Sequence, residues 1–218
     1  MKSLIIPILI ILLALYSCNK DNSEPQIFSI ENQIFAGEYN ADLDLKEFNP
    51  PLKVDLISDS LLNFKYGVDS IDINTDGNYD LIIHQRFIMD WNDTVQISNT
   101  NYPFCSLTLK NGLEVACKNE IFYIGLGQTS SVLWVDSLEY LKRIDNLNDW
   151  SETNTNIWMW VVPPTSFWGS YGCWYNLIET EKYIGIRMKI ITDYKFGWIK
   201  INQESRENFE FVSYAIEK

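Results

Sequence analysis

From residue 27 to the C-terminus the chain breaks into short runs rich in β-branched and aromatic residues, each bounded by Asn, Asp or Gly. Runs of that length and content, with turn formers between them, predict strands at 61–66, 79–88, 104–109, 112–117, 120–124, 183–191, 196–201 and 209–216. The pattern is that of an all-β chain. One stretch, SSVLWVDSLEYLKR, spaces Leu133, Trp134, Leu138 and Leu141 as a short helix near 131–143 would, while 132–135 fits a strand equally well. No repeat with a period of 20 to 50 residues is present, which disfavours a propeller or solenoid and leaves an antiparallel β-sandwich as the expected architecture. At 218 residues, 46% of them hydrophobic, the chain can bury the core of one domain, expected over 27–218.

The segment CSLTLKNGLEVAC allows a register to be argued. A two-residue Asn111-Gly112 loop mixes apolar and polar side chains on each face. A three-residue loop, Lys110 to Gly112 with Gly112 left-handed, instead pairs Leu109 with Leu113, Leu107 with Val115 and Cys105 with Cys117. That hairpin puts the large apolar side chains on one face and sets two cysteines opposite each other. Both a Cys105–Cys117 disulfide and two buried thiols are compatible with it. Cys173 reads as a small buried hydrophobe, since His84 is the single histidine of the chain and lies far from it in sequence.

The first residues predict export. Lys2 is followed by an apolar run from Leu4 to Leu15, too short for the roughly 20 residues that span a bilayer, so a cleaved signal over 1–17 is expected. The ending Leu15-Tyr16-Ser17-Cys18 resembles a bacterial lipobox, with Tyr16 bulkier than the small residue usual there. The resemblance implies that Cys18 is lipidated and becomes the N-terminus of a lipid-anchored protein. Residues 18–26, polar and without pattern, read as a tether, and their lysine and acids resemble the segment that leads lipoproteins of Bacteroidetes-type bacteria to the cell surface. The resemblance places the protein at the outer membrane, on its periplasmic or cell-surface side. With 29 acidic and 17 basic residues, net charge −12, the chain repels nucleic acid, and no nucleic-acid partner is expected.

DINTDGNYD, residues 72–80, carries the clearest chemistry. Asp72, Asn74, Asp76, Asn78 and Asp80 occupy positions 1, 3, 5, 7 and 9 of a loop with Gly77 at position 6. Calcium loops supply oxygen ligands around a sharp turn at this spacing. Position 12 is Ile83, so the glutamate of an EF-hand is missing, and the flanks look extended rather than helical. The run resembles the calcium loop of integrin-type FG-GAP repeats, in which position 7 gives a backbone carbonyl and the others give side-chain oxygens. Three carboxylates within nine residues repel one another unless a cation neutralises them. A structural Ca²⁺ is the expected cofactor, and a solvated turn built from ordinary turn formers is the alternative.

The C-terminal third carries a second resemblance. Tyr183, Gly185 and Arg187, then Phe196, Gly197, Trp198 and Ile199, then Tyr214 and Ala215 match the closing strands of a group of exported bacterial proteins. The resemblance implies a β-sandwich at the cell envelope and no known activity. Glycines inside those strands point to bulges or to close approach of an aromatic ring, with Trp198 in the core.

A candidate ligand surface lies in the aromatic segment 150–175. Trp158, Trp160, Trp168, Tyr171 and Trp174 could stack on sugar rings, or the alternation through Ile157, Met159 and Val161 could mark a strand buried on both faces. A hydrolase needs two carboxylates flanking the scissile bond, and among Asp149, Glu152, Glu179 and Glu181 no spacing singles out a pair. A non-catalytic envelope module, structural or binding a glycan or another envelope protein, is therefore expected ahead of a surface glycan hydrolase. No catalytic residue is assigned.

Overall fold

Among the residues described by the computed structural model, 33–61, 64–88, 104–125, 128–161, 169–171, 173–174, 180–205 and 208–218, the chain forms strands and no helix. They fall within one unit, Asn32–Lys218. In chain order the strands are β1 (Ile34–Phe35), β2 (Leu43–Lys53), β3 (Ile57–Asp59), β4 (Phe64–Ile71), β5 (Leu81–Ile88), β6 (Phe104–Leu109), β7 (Leu113–Gly125) and β8 (Gln128–Val135). There follow β9 (Arg143–Ile144), β10 (Asp149–Ser151), β11 (Thr155–Val161), β12 (Gly169–Tyr171), β13 (Thr180–Ile190), β14 (Asp193–Gln203) and β15 (Phe209–Glu217).

The main sheet runs β2-β15-β14-β13-β7-β8-β11-β6-β5-β4-β3, with β10 on β7 and β12 on β11. It curls on β7. Val115 pairs with Ile186 of β13 on one edge and Ser151 of β10 on the other, and Cys117 pairs with Val135 of β8 and Asp149 of β10. Because β10 keeps one edge, β13 and β8 follow one another along the other, and β7 passes from one layer to the next. One cluster then buries Leu81, Ile83 and Leu107 from one layer against Ile184, Ile199 and Phe211 from the other. Each such side chain contributes about 1.5–3 kcal/mol on burial. The sheet is mixed, since β8 and β11 meet in parallel through Trp134 and Asn156, whereas the other pairings between its strands are antiparallel. The edge strand β2 carries Pro50 and Pro51, which lack the N–H that a central strand needs.

The region considered for a helix, 131–143, is strand through Val135. It then turns, with an isolated bridge from Leu138 to Tyr183 and a positive φ at Leu141. Trp134 and Val135 are both fully buried, so this stretch is buried as part of the sheet rather than as one stripe of a helix.

The hairpin register does not form. The turn itself is present: the Leu113 N–H donates to the Lys110 carbonyl at 2.9 Å, and Asn111 and Gly112 have φ of 54° and 75°. Beyond the turn the strands part, β6 pairing with β5 and β11 while β7 pairs with β13, β10 and β8. Cys105 and Cys117 are thus not cross-strand partners, and both are buried free thiols. Apolar side chains that were expected to share one face of a hairpin instead meet the same core from two layers.

Behind β13, β14 and β15 a second cluster, with Ile34, Leu138, Ile144, Tyr183, Phe196 and Trp198, covers the other face of these strands. Trp198 is in the core, as its sequence context indicates, and its indole N–H donates to the Glu38 carbonyl at 3.0 Å. Gly197 is required by backbone rather than by a ring: a Cβ there would lie 2.4 Å from the Ala215 carbonyl oxygen and 2.9 Å from Cγ1 of Ile186. The aromatic approach is found elsewhere, at Gly37, where a Cβ would lie 2.5 Å from the Tyr183 ring.

Candidate metal centre and adjoining groove

β4 and β5 pair through Ile71 and Leu81, and the nine residues 72–80 between them form a closed loop. The Asp80 N–H donates to the Ile71 carbonyl at 3.0 Å. Inside the loop the side chains fold back on the main chain. Asp72 accepts the N–H of Asp76 at 3.2 Å and of Gly77 at 2.8 Å; Asn74 Oδ1 accepts the Asp76 N–H at 2.9 Å; Asp76 accepts the Asn78 N–H at 2.7 Å. That last bond, with help from the Asn74 amide, holds the Asp76 carboxyl below its usual range. Gly77, at φ 89°, makes the turn that an L side chain would strain, and Thr75 is also left-handed at 60°.

Asp80 differs from the other acids. It is fully buried, and its carboxylate accepts the N–H groups of Ile73 at 2.9 Å and Asn74 at 3.2 Å and the Asn111 amide at 2.9 Å. Its own carbonyl accepts the Lys110 N–H at 2.9 Å, so one residue fastens the loop to the β6–β7 turn. From the facing layer the Tyr214 hydroxyl donates to the Asp72 carbonyl at 3.0 Å. Burial, with the Asp72 and Asp80 carboxylates nearby, pushes the Tyr214 hydroxyl up to about 12. Asn111 and Tyr214 lie 31 and 142 residues from their loop partners and carry no sequence signal for that role.

The donor types suit a hard cation: carboxylates, amide oxygens and carbonyls, with no sulfur or imidazole in the loop. A carboxylate has about four lone-pair sites. Asp80 is fully buried beneath its three donors, whereas Asp72, Asn74 and Asp76 reach the surface, so these three are the side chains open to a cation. Among the described residues no three Asp, Glu, His or Cys side chains converge on one point as a metal cluster, so the loop has the donors without showing them gathered.

Beside the loop a groove of about 650 Å³ opens between it and the strands β2, β13, β14 and β15. Asn74, Asp76 and Asn111 form one wall, the buried Ile73, Met188, Tyr214 and Ile216 lie behind it, and Asp44, Lys46, Lys189, Lys195 and Glu217 also line it.

The other residues singled out from the sequence fall as follows. Cys18 lies outside the described residues, as does Trp168. Trp158 and Trp160 belong to β11 and Tyr171 to β12 by backbone, and their side chains lie outside the described set. Trp174 is fully buried, 6.4 Å from the Phe209 ring, and so belongs to the core and not to a sugar-stacking surface. Burial raises the thiols of Cys117 to about 12 and of Cys173 to about 11, so neither is a thiolate nucleophile at neutral pH. Asp149 and Glu152 are exposed, Glu181 pairs with Lys200 at 2.8 Å, and none of the three lines the groove; Glu179 lies outside the described residues. Comparisons with family models, curated proteins and solved structures find no match to this chain.

Proposed function

We propose that the chain is a non-catalytic binding module of the bacterial cell envelope, lipid-anchored through Cys18 at the outer membrane and stabilised by one calcium ion in the 72–80 loop. A glycan or another envelope protein is its partner. The observation that carries this reading is that the loop fastens β4 and β5 to the β6–β7 turn through Asp80 and Asn111, and to the opposite layer through Tyr214. An ion bound there acts on the closure of the sandwich. Asp72, Asn74 and Asp76 would hold it with the Asn78 carbonyl, and Asp80 orders the backbone beneath. Calcium supplies charge neutralisation, and the residues supply hard oxygens at the spacing it takes.

An ion bound by the folded state alone stabilises by RT ln(1 + [L]/Kd), about 2.7 kcal/mol at a hundredfold excess over Kd. Saturating calcium is therefore expected to raise the thermal midpoint relative to chelator, and Asp76→Ala to remove most of that rise. Asp145→Ala is the control. It loses an ion pair with Arg143 and a turn bond to Leu147 N–H, which lowers the midpoint with and without calcium and leaves the response intact. A wild-type midpoint that does not move between chelator and several millimolar calcium would mean that the loop is only a polar turn.

A further inference from the structure

The main sheet ends on β2, and among the described residues no strand pairs with its outer edge. Which backbone groups that edge offers follows from the β2–β15 ladder. The Lys218 N–H donates to the Asp42 carbonyl at 3.0 Å, and in the same register Asp44 stands opposite Ile216 and Lys46 opposite Tyr214. Hydrogen-bonded and non-bonded pairs alternate along an antiparallel ladder, so Asp44 and Lys46 turn their N–H and C=O groups to β15, while Leu45 and Glu47 turn theirs outward. Residues 43–47 hold no proline or glycine and keep an unbroken register with β15, whereas Pro50, Pro51 and the irregularity opposite Phe211 and Ser213 lie beyond them. The side chains on this stretch are open: Asp44, Lys46 and Glu47 are exposed and Leu45 is 39% exposed.

Charged side chains often guard a sheet edge against pairing. Against a second copy of this chain the guard fails, because its charges complement themselves. Two copies of the stretch can meet antiparallel, outward groups against outward groups, about a two-fold axis at any one of its residues. An axis at Leu43 sets Asp42 opposite Asp44, and an axis at Asp44, Lys46 or Glu47 sets that charge opposite itself. An axis at Leu45 alone avoids like charges: Leu45 meets Leu45, Leu43 meets Glu47, and Asp44 meets Lys46 on either side.

We propose that the protein forms a two-fold dimer through β2, which joins the main sheets of two copies edge to edge at Leu45, with Asp44 of one protomer paired to Lys46 of its partner. Each Leu45 N–H donates to the Leu45 carbonyl across the axis, and each Glu47 N–H to the carbonyl of Leu43. The Leu43 N–H is already held by the Asn40 carbonyl at 3.2 Å, so Leu45 and Glu47 supply the donors. Lys46 has no ion-pair partner within its own chain among the described residues, and Asp44 has only the Lys218 ammonium, at 4.0 Å. An interface of one strand per copy is small, so the equilibrium lies between micromolar and millimolar protein. The dimer is separate from the calcium and anchor proposals and requires neither.

The test is sedimentation velocity of the mature chain from residue 18 onward, carrying Cys18→Ala so that no lipid drives association, with reductant present. A reversible monomer–dimer equilibrium is expected between micromolar and millimolar protein. Lys46→Asp alone and Asp44→Lys alone each set like charges across the axis and should weaken the dimer about tenfold or more. An equimolar mixture of these two variants should restore it, since each charge then meets its opposite in the other chain. Leu45→Pro removes an N–H that points away from β15, so it should abolish the dimer and leave the thermal midpoint close to that of wild type. A wild-type monomer up to millimolar protein, a dimer that survives Leu45→Pro or both single charge changes, or a mixture no tighter than its components would each overturn the proposal.

Discussion

Asp80→Ala is expected to cost about 3–5 kcal/mol of unfolding free energy, with calcium or without it. The carboxylate is fully buried and accepts three N–H donors, from Ile73, Asn74 and Asn111. Hydrogen bonds to a charged acceptor are worth roughly 1.5–3 kcal/mol each, and of the three donors the Ile73 N–H is left buried and unpaired while water reaches the Asn74 and Asn111 donors. Asn111 loses one of the contacts that hold the β6–β7 turn, at a place where two residues already have positive φ. Asp80→Asn should recover part of the loss at most, because an amide keeps one oxygen and turns donors toward donors. Asp76 is exposed, so Asp76→Ala in metal-free protein should cost under about 1 kcal/mol. Urea unfolding measures the difference as a shift in midpoint at constant slope. An Asp80→Ala protein within 1 kcal/mol of wild type would contradict the clasp described for this residue.

The second large effect is in location. Under the lipid-anchor proposal the acyl chains are the lasting attachment, so Cys18→Ala should transfer the protein from the membrane pellet to the soluble fraction of lysed cells. Each buried methylene contributes about 0.8 kcal/mol, so two or three chains on one residue hold for the life of the protein and none at all does not. No described helix is long and apolar enough to cross a bilayer, so no helix in this part of the chain substitutes for the anchor. Unchanged sedimentation of the cleaved, unacylated variant would overturn the lipid-anchor proposal.

The strands were legible in the sequence because alternation of apolar and polar residues is local. β6 reads intermediate and buried in turn, with Cys105, Leu107 and Leu109 inward, as its spelling predicts. What alternation cannot report is which strand lies alongside. Asn111 and Gly112 do make their turn, yet Leu107 pairs with Ile83 and Thr155, and Val115 with Ile186 and Ser151. A hairpin and a crossing between layers spell the same pattern when both strands face one core, and the choice rests on partners as far away in sequence as Ile186 is from Val115. Trp174 shows the same limit, since the length of an aromatic run says nothing of which rings the sheet covers. The loop was the most legible element of the site, since its turn falls at Gly77 as the spelling of the run indicates. Its fastening to Tyr214 could not be read, because a tyrosine in a strand of nine residues looks like any other core aromatic.

Calorimetric titration of calcium into metal-free protein tests the central claim most directly. One saturable site per chain is expected, with Kd on the order of 0.1–1 mM as in extracellular modules, lost in Asp76→Ala and kept in Asp145→Ala. The absence of any saturable heat up to several millimolar calcium, in folded wild-type protein, would contradict the calcium-stabilised loop.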